Sequence, residues 1–269
     1  MFDTVIQNVD TSHGNLVAEM TLGKGLDVVL IHGNSSCRRV FHRQLNSHLG
    51  RDHRLICIDL PGHGQSDDAE VKERTYPLPG LADACIELLE KLDLKRPVLV
   101  GWSLGGHVAI EVAARSYPLR GLFLTGTSPV GPDISEGFSG GLLKGLASRG
   151  KFTELEAMQF VNRVFGDEAT YQLEQAAMRT DLSFRTILFS AARITEKSNQ
   201  RAIVSSITIP TAIVNGADDS IINLDYVDSV PYSKLWKGTC FRIPRAGHAP
   251  FLQNSEEFNG YLERFLEDI

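Results

Sequence analysis

The sequence lacks several features that would place it in common classes of protein. Its longest apolar runs, such as residues 28–31 and 97–100, are as long as a strand, whereas a transmembrane helix needs about 20 apolar residues. The 33 aspartates and glutamates outnumber the 27 lysines and arginines. A net negative charge repels phosphate backbones and anionic lipids. We therefore expect no membrane span and no nucleic-acid or membrane partner.

Cysteine is also scarce, and no metal-binding pattern is present. The four cysteines form no C-x-x-C pair, which argues against a zinc ribbon or a redox dithiol. The chain has no H-E-x-x-H or H-x-H-x-D-H pattern, so we expect neither a metal nor a cofactor. Unpaired thiols suit a reducing compartment, and the first residues lack the basic and apolar regions of a secretory signal. These features predict a cytoplasmic protein.

The sequence does contain short β-branched runs that alternate with amphipathic stretches. This alternation is typical of an α/β fold with a mostly parallel central sheet flanked by helices. A helix between the fourth and fifth strands is indicated by apolar residues three and four positions apart, such as Leu81, Cys85 and Leu88. Strands are predicted over residues 4–9, 15–21, 28–31, 54–58, 98–100, 122–125, 211–215 and 239–243.

Residues 131–205 interrupt this alternation. They begin with several glycines and continue as helical patterns, in one of which Leu155, Met158, Val161 and Val164 recur every three residues. A helical insertion between two strands suggests a cap over the working edge of the sheet. We therefore predict a core formed by residues 1–130 and 206–269, with a helical cap over residues 131–205.

A G-x-S-x-G motif occupies residues 101–105, between a predicted strand and a predicted helix. In this context the serine sits on a sharp, strained turn, so that its hydroxyl projects from the carboxyl edge of the sheet. Small residues flank the serine because strand and helix pass closely there. The motif therefore predicts Ser103 as a catalytic nucleophile.

A serine hydroxyl needs a base to remove its proton, and in this architecture an acid and then a histidine follow the serine along the chain. His248 follows the last predicted strand. The other histidine downstream of Ser103 is His107, which lies one turn into the nucleophile's helix and is badly placed as a base. After the strand over residues 211–215, Asp218 and Asp219 are both candidates for the acid.

Together these motifs resemble the α/β-hydrolase superfamily. Its usual G-x-x-D spacing after that strand implies Asp219 as the acid, with Asp218 as the runner-up. Its oxyanion hole implies two backbone N–H donors, from Asn34 after the His-Gly pair and from Leu104 after the nucleophile. A serine at the elbow argues against the dehalogenases and epoxide hydrolases, which carry an aspartate there.

Residues 11–14, 31–36, 101–107, 126–131, 215–216 and 246–251 resemble, more specifically, the serine-triad N-acyl-homoserine lactonases of bacteria. These enzymes open the lactone ring of quorum-sensing signals without a metal. Phe160 stands where that group carries a lid tyrosine, so a hydroxyl contact is missing. The resemblance implies a lactonase. A general carboxylesterase and a receptor with little turnover are the alternatives.

A small acyl lactone or ester would need an apolar pocket next to the nucleophile. The apolar content of residues 131–205 suggests contacts with the acyl chain, and Trp102 is placed to form the floor of the site. The predicted substrate-binding residues are Gly33, Trp102, Phe138, Met158, Phe160 and Phe184.

Overall fold

All eight predicted strands are present in the computed structural model, which describes residues 3–139, 145–194 and 198–269. They form one sheet in the order β1-β2-β4-β3-β5-β6-β7-β8. The strands are β1 Thr4–Thr11, β2 Gly14–Thr21, β3 Asp27–Ile31, β4 Arg54–Ile58, β5 Val98–Trp102, β6 Gly121–Thr125, β7 Thr211–Gly216 and β8 Phe241–Ile243.

The sheet is mostly parallel, as the alternating pattern predicts. Only β2 runs against its neighbours β1 and β4. The pairs from β4 through β3, β5, β6 and β7 to β8 are all parallel. Because parallel strands end at the same edge, the segments that follow β3, β5, β7 and β8 come together there. These segments contain the residues predicted to be catalytic.

The helices of the described residues cover both faces of the sheet and fill the interval between β6 and β7. They are α1 His42–Leu45, α2 His48–Asp52, α3 Lys72–Thr75, α4 Leu78–Lys91, α5 Leu104–Ala114, α6 Glu154–Phe165, α7 Tyr171–Arg179, α8 Phe184–Ile194, α9 Gln200–Val204, α10 Leu224–Ser229, α11 Pro250–Gln253 and α12 Ser255–Asp268. Short 3₁₀ turns occupy Arg38–Phe41, Ile134–Gly137, Leu146–Ser148, Gly166–Glu168 and Trp236–Gly238.

Two hydrophobic clusters lie on opposite faces of the sheet, because successive side chains of a strand point to opposite sides. In β3, Val29 packs in the cluster that contains α4 and α5, whereas Leu30 packs in the cluster that contains α12. All side chains of β5 and β6 are buried. Burial on both faces explains why these strands are continuous apolar runs rather than alternating ones.

The helical phase of α6 differs from the prediction. The buried positions are Ala157, Phe160, Val161, Val164 and Phe165, whereas Leu155 and Met158 are 58% and 39% exposed. A strict three-residue spacing drifts around a helix of 3.6 residues per turn, so it cannot stay on one face. The buried residues instead recur at spacings of three and four.

The interval between β6 and β7 is bound to the core by a buried polar contact. The carboxylate of Asp181, just before α8, accepts hydrogen bonds from Tyr76 Oη and Lys72 Nζ, each at 2.7 Å. Its backbone N–H donates to the carbonyl oxygen of Gly62 at 2.9 Å. Among the residues described, no helix has both the length and the apolar character needed to cross a membrane.

Candidate active site

Ser103 occupies a strained turn between β5 and α5. Its backbone has φ 54° and ψ −118°, a conformation that residues other than glycine rarely adopt. Gly101 and Gly105 allow this turn, since a Cβ on Gly105 would lie 2.1 Å from the carbonyl oxygen of Ile31 and one on Gly101 would lie 2.4 Å from the Cα of Gly106. The backbone therefore holds the Ser103 hydroxyl at the carboxyl edge of the sheet.

Three side chains that are distant in the sequence form one hydrogen-bonded chain. His248 Nε2 lies 3.0 Å from Ser103 Oγ, and His248 Nδ1 lies 2.8 Å from Asp219 Oδ2. His248 and Asp219 are both buried. A carboxylate that accepts from Nδ1 keeps the other ring nitrogen free to accept a proton from the hydroxyl. The arrangement has the geometry of a Ser-His-Asp nucleophilic triad.

The structure separates the two neighbouring aspartates. Asp219 is buried, and its second carboxylate oxygen accepts hydrogen bonds from the backbone N–H groups of Ile221 and Ile222 at 2.8 and 3.3 Å. Asp218 is exposed, and its side chain is not part of the hydrogen-bonded chain. Asp219 is therefore the acid that the geometry pairs with His248.

His248 is held in place from its backbone as well as from its ring. Trp102 Nε1 donates a hydrogen bond to the carbonyl oxygen of His248 at 2.8 Å, and the two rings lie 5.7 Å apart. The left-handed residue Gly126, at φ 59°, leaves room for the imidazole, because a Cβ there would lie 3.0 Å from His248 Cε1. Trp102 thus helps to orient the base.

Asn34 and Leu104, the residues predicted to supply the N–H groups of an oxyanion hole, line the same cavity as Ser103. Leu104 is the first residue of α5, and the first N–H groups of a helix have no partner inside it. The Cα of Gly33 lies against Ser103, since an added Cβ would be 3.1 Å from the Ser103 Cβ. This contact brings the following residue, Asn34, to the wall of the same cavity as Ser103.

A cavity of about 180 Å³ opens beside Ser103. Its wall is mostly apolar and includes residues of the core and of the interval between β6 and β7. The apolar lining residues are Leu78, Trp102, Leu104, Val130, Ile134, Phe138, Ala147, Phe160, Val164, Leu188, Phe189, Ala192 and Ile221. The polar lining residues are Asn34, Ser103, His107, Ser198, Gln200 and His248.

Three of the six predicted substrate contacts line the cavity, namely Trp102, Phe138 and Phe160. The other three do not. Met158 does not, because it lies on the exposed side of α6. Phe184 is fully buried against the rings of His63 and Tyr76, with centroids 4.3 and 5.0 Å away, and so anchors α8 to the core.

Gly33 also lies outside the cavity lining, beneath Trp102 and Ser103. By contrast, His107 and Gln200 line the cavity although the sequence did not indicate them. The sequence signal for His107 is weak, namely its place in the first turn of the helix that follows the nucleophile. Gln200 has no such signal.

Among the residues described, no group of three or more His, Cys, Asp or Glu side chains is arranged to hold a metal ion. All four cysteines are free.

Comparisons with known proteins identify the family of the chain. The model of the alpha/beta hydrolase family matches residues 28–260. The chain is 38% identical to the N-acyl homoserine lactonase AidH in a crystal structure with N-hexanoyl homoserine, with a TM-score of 0.96 over 99% of this chain and 97% of that one. A second crystal structure of AidH, with N-hexanoyl homoserine lactone, has a TM-score of 0.95 over 98% of both chains.

Curated relatives carry a different name. The pimeloyl-[acyl-carrier protein] methyl ester esterase of Chromobacterium violaceum is 31% identical over 94% of this chain and 98% of its own length. That of Pseudoalteromonas atlantica is 27% identical over 88% of this chain and 93% of its own length. Both the family model and these relatives span most of the chain. The chain therefore belongs to the alpha/beta hydrolase family.

Proposed function

We propose that this protein is a serine hydrolase that opens the lactone ring of N-acyl-homoserine lactones. The observation that carries this proposal is its likeness to the lactonase AidH over 99% of the chain. The hydrogen-bonded chain from Ser103 through His248 to Asp219 supports a hydrolytic reaction at an acyl carbonyl.

In the proposed reaction, Ser103 Oγ attacks the lactone carbonyl carbon while His248 Nε2 takes the hydroxyl proton. The backbone N–H groups of Asn34 and Leu104 stabilise the oxyanion, each by about 3 kcal/mol. His248 then gives its proton to the ring oxygen, and the ring opens to leave an acyl-enzyme. Water, activated by His248, releases the N-acyl-homoserine. Asp219 stabilises the imidazolium.

We also propose that residues 131–205 act as a cap over the site. Phe138, Ala147, Phe160, Val164 and Leu188 all come from this segment and line the cavity. An apolar wall suits an acyl chain, whose transfer from water is favourable. The amide of Asn34 connects the two parts, because its Nδ2 donates to the carbonyl oxygen of Ala147 at 3.0 Å. A cytoplasmic location remains our proposal from the four unpaired cysteines.

The second candidate is an esterase that acts on methyl esters, as the names of the curated relatives suggest. A substrate carried on a protein would need a docking surface beyond the cavity. Residues 131–205 contain nine lysines and arginines and nine aspartates and glutamates, so this segment has no net charge to attract a charged carrier. This balance favours a free small molecule.

A substrate panel distinguishes these functions. N-hexanoyl homoserine lactone should yield acid and a product heavier by one water. Hydrolysis of aryl or methyl esters without hydrolysis of lactones would instead support a carboxylesterase. Product formation that stops after about one equivalent of enzyme would support a receptor rather than an enzyme.

A further inference from the structure

Three polar residues of the cavity wall have no part in the proposed reaction, namely His107, Ser198 and Gln200. His107 lies on α5, four residues after Ser103, and lines the same cavity. Ser103 immediately precedes this helix, and its carbonyl oxygen accepts a hydrogen bond from the backbone N–H of His107 at 3.2 Å. The two residues thus lie within one helical turn of each other, on the wall of the cavity that would hold the substrate.

The hydrogen bonds of Gln200 determine which ring nitrogen of His107 carries the proton. Gln200 Nε2 donates to the carbonyl oxygen of His107 at 3.0 Å and to Glu111 Oε1 at 2.9 Å. The amide oxygen of Gln200 must then face His107 Nδ1, 2.6 Å away, and accept its proton. Nδ1 is thus the protonated nitrogen.

The other ring nitrogen is then an acceptor. Burial lowers the pKa of His107 below its usual value of 6.5, despite the opposing bond to Gln200, so the ring is neutral at pH 7. Within the parts of the chain that the structure describes, no residue forms a hydrogen bond with Nε2. His107 is half-buried at this wall, so a ligand that covers Nε2 without offering a donor would leave the acceptor unpaired.

We propose that His107 Nε2 accepts a hydrogen bond from an amide N–H on the carbon next to the scissile carbonyl. His107 would thereby select esters and lactones that carry an acylamino group at this position. The proposal rests on the proposed function for the attack by Ser103, and it adds the substrate feature that the pocket recognises.

The geometry of the bound substrate sets the reach of this contact. A carbonyl carbon poised for attack lies about 3–3.5 Å from Ser103 Oγ. An amide nitrogen on the adjacent carbon is about 2.5 Å from that carbonyl carbon, and a hydrogen bond adds about 3 Å. Together these steps extend about 9 Å from Ser103 Oγ, which is the distance within which Nε2 has to lie for this contact.

The contact also gives a basis for specificity. An apolar pocket discriminates weakly between acyl groups, whereas a site with a buried polar group rejects ligands that leave this group unpaired. Simple alkyl and aryl esters have no donor next to the carbonyl. They would leave Nε2 unpaired, so they should be poorer substrates than amide-bearing ones.

The test compares two lactones that differ only at the nitrogen. One is N-hexanoyl homoserine lactone, and the other is the γ-butyrolactone in which a methylene replaces the amide N–H. The wild-type protein should prefer the amide lactone by about 3- to 10-fold in kcat/KM, the factor expected for one neutral hydrogen bond.

Variants of His107 assign this preference to Nε2. His107→Asn keeps an N–H that can donate to Gln200 but has no atom at the position of Nε2. The ratio of kcat/KM between the amide lactone and the methylene lactone should therefore fall to about one. The kcat/KM for the methylene lactone itself should change by less than about 3-fold. His107→Gln places an amide oxygen near the position of Nε2 and should restore part of the preference. Phe138→Leu alters the wall 6.4 Å from the imidazole and should affect both lactones by the same factor.

Three results would overturn the inference: a wild-type protein without preference, a preference that survives His107→Asn, or an equal loss on both lactones. If His107→Asn does not fold by circular dichroism, His107→Leu is judged by the same criterion. If no lactone is hydrolysed, the proposed function fails separately, and the comparison is made with N-hexanoylglycine methyl ester and methyl 4-oxononanoate. Hydrolysis of neither pair also overturns the inference.

Discussion

Replacing Asp219 by asparagine tests the orientation of the base without changing the shape of the site. The two oxygens of Asp219 have different partners: one accepts from the N–H groups of Ile221 and Ile222, and the other faces His248 Nδ1 at 2.8 Å. In Asp219→Asn the amide oxygen should stay with the two backbone donors. The NH₂ group then faces Nδ1.

This orientation should reverse the tautomer of His248. A ring nitrogen that faces an NH₂ group must accept, so the proton moves to Nε2 and points toward Ser103 Oγ, 3.0 Å away. A protonated Nε2 cannot remove the serine proton. The expected loss in kcat is about 10⁴-fold, which corresponds to about 5 kcal/mol in the activation free energy. KM should change little, since Asp219 does not line the cavity.

Asp218→Asn is the matched control, because it makes the same chemical change one residue earlier on an exposed side chain. Both variants are assayed by acid release from N-hexanoyl homoserine lactone at constant pH, and their folding is compared by thermal unfolding. The control should keep wild-type activity. An Asp219→Asn variant within tenfold of the wild-type kcat, or a loss confined to Asp218→Asn, would refute the assignment of the acid.

Three further predictions concern the nucleophile, pH and the attachment of the interval between β6 and β7. Ser103→Ala should lower kcat by at least about 10⁴-fold without loss of fold, and retained turnover would exclude Ser103 as nucleophile. Burial, together with the neighbouring His32, holds the pKa of His63 well below 6.5, and His63 Nε2 accepts from the Ser35 N–H. The unfolded chain therefore binds a proton at His63 more readily than the folded protein does. The free energy of unfolding should be greatest above about pH 6.5 and should fall toward pH 5. A melting temperature that is unchanged between pH 7.5 and 5.5 would contradict this. Asp181→Asn removes the charged acceptor of Tyr76 Oη and Lys72 Nζ. Urea unfolding should show that the free energy of unfolding falls by about 2 kcal/mol. An unchanged free energy of unfolding would mean that the contact does not stabilise the fold.

The sheet and the turn that holds Ser103 could be predicted because their signals are local. The strands β3 to β7 are short, largely apolar runs bounded by polar or glycine-rich segments, and the G-x-S-x-G motif at residues 101–105 encodes its own turn. The order of serine, acid and histidine that is typical of this architecture then points to His248 after the last strand. These inferences need no knowledge of long-range packing.

The choice between Asp218 and Asp219 and the pocket wall depend on contacts across the chain. Asp219 is buried, and its carboxylate accepts hydrogen bonds from the backbone N–H groups of Ile221 and Ile222. Without the family resemblance, the spacing of residues in the sequence does not show which of the two aspartates makes these contacts. Met158 was misplaced because apolar character alone does not identify the buried face of an amphipathic helix. The sequence indicates that His107 is badly placed as a base. Its hydrogen bond to Gln200, 93 residues later, is the contact that suggests a different role, as a hydrogen-bond acceptor for the substrate.

The chemistry and the specificity of this site come from different parts of the chain. Ser103, Asp219 and His248 follow the parallel strands β5, β7 and β8 at the carboxyl edge of the sheet. Much of the cavity wall comes from the interval between β6 and β7, and Gln200, near its end, orients the imidazole of His107. We therefore expect substitutions in that interval to alter which acyl compound fits without displacing the reacting atoms. The pocket is accordingly the place where substrate identity has to be tested.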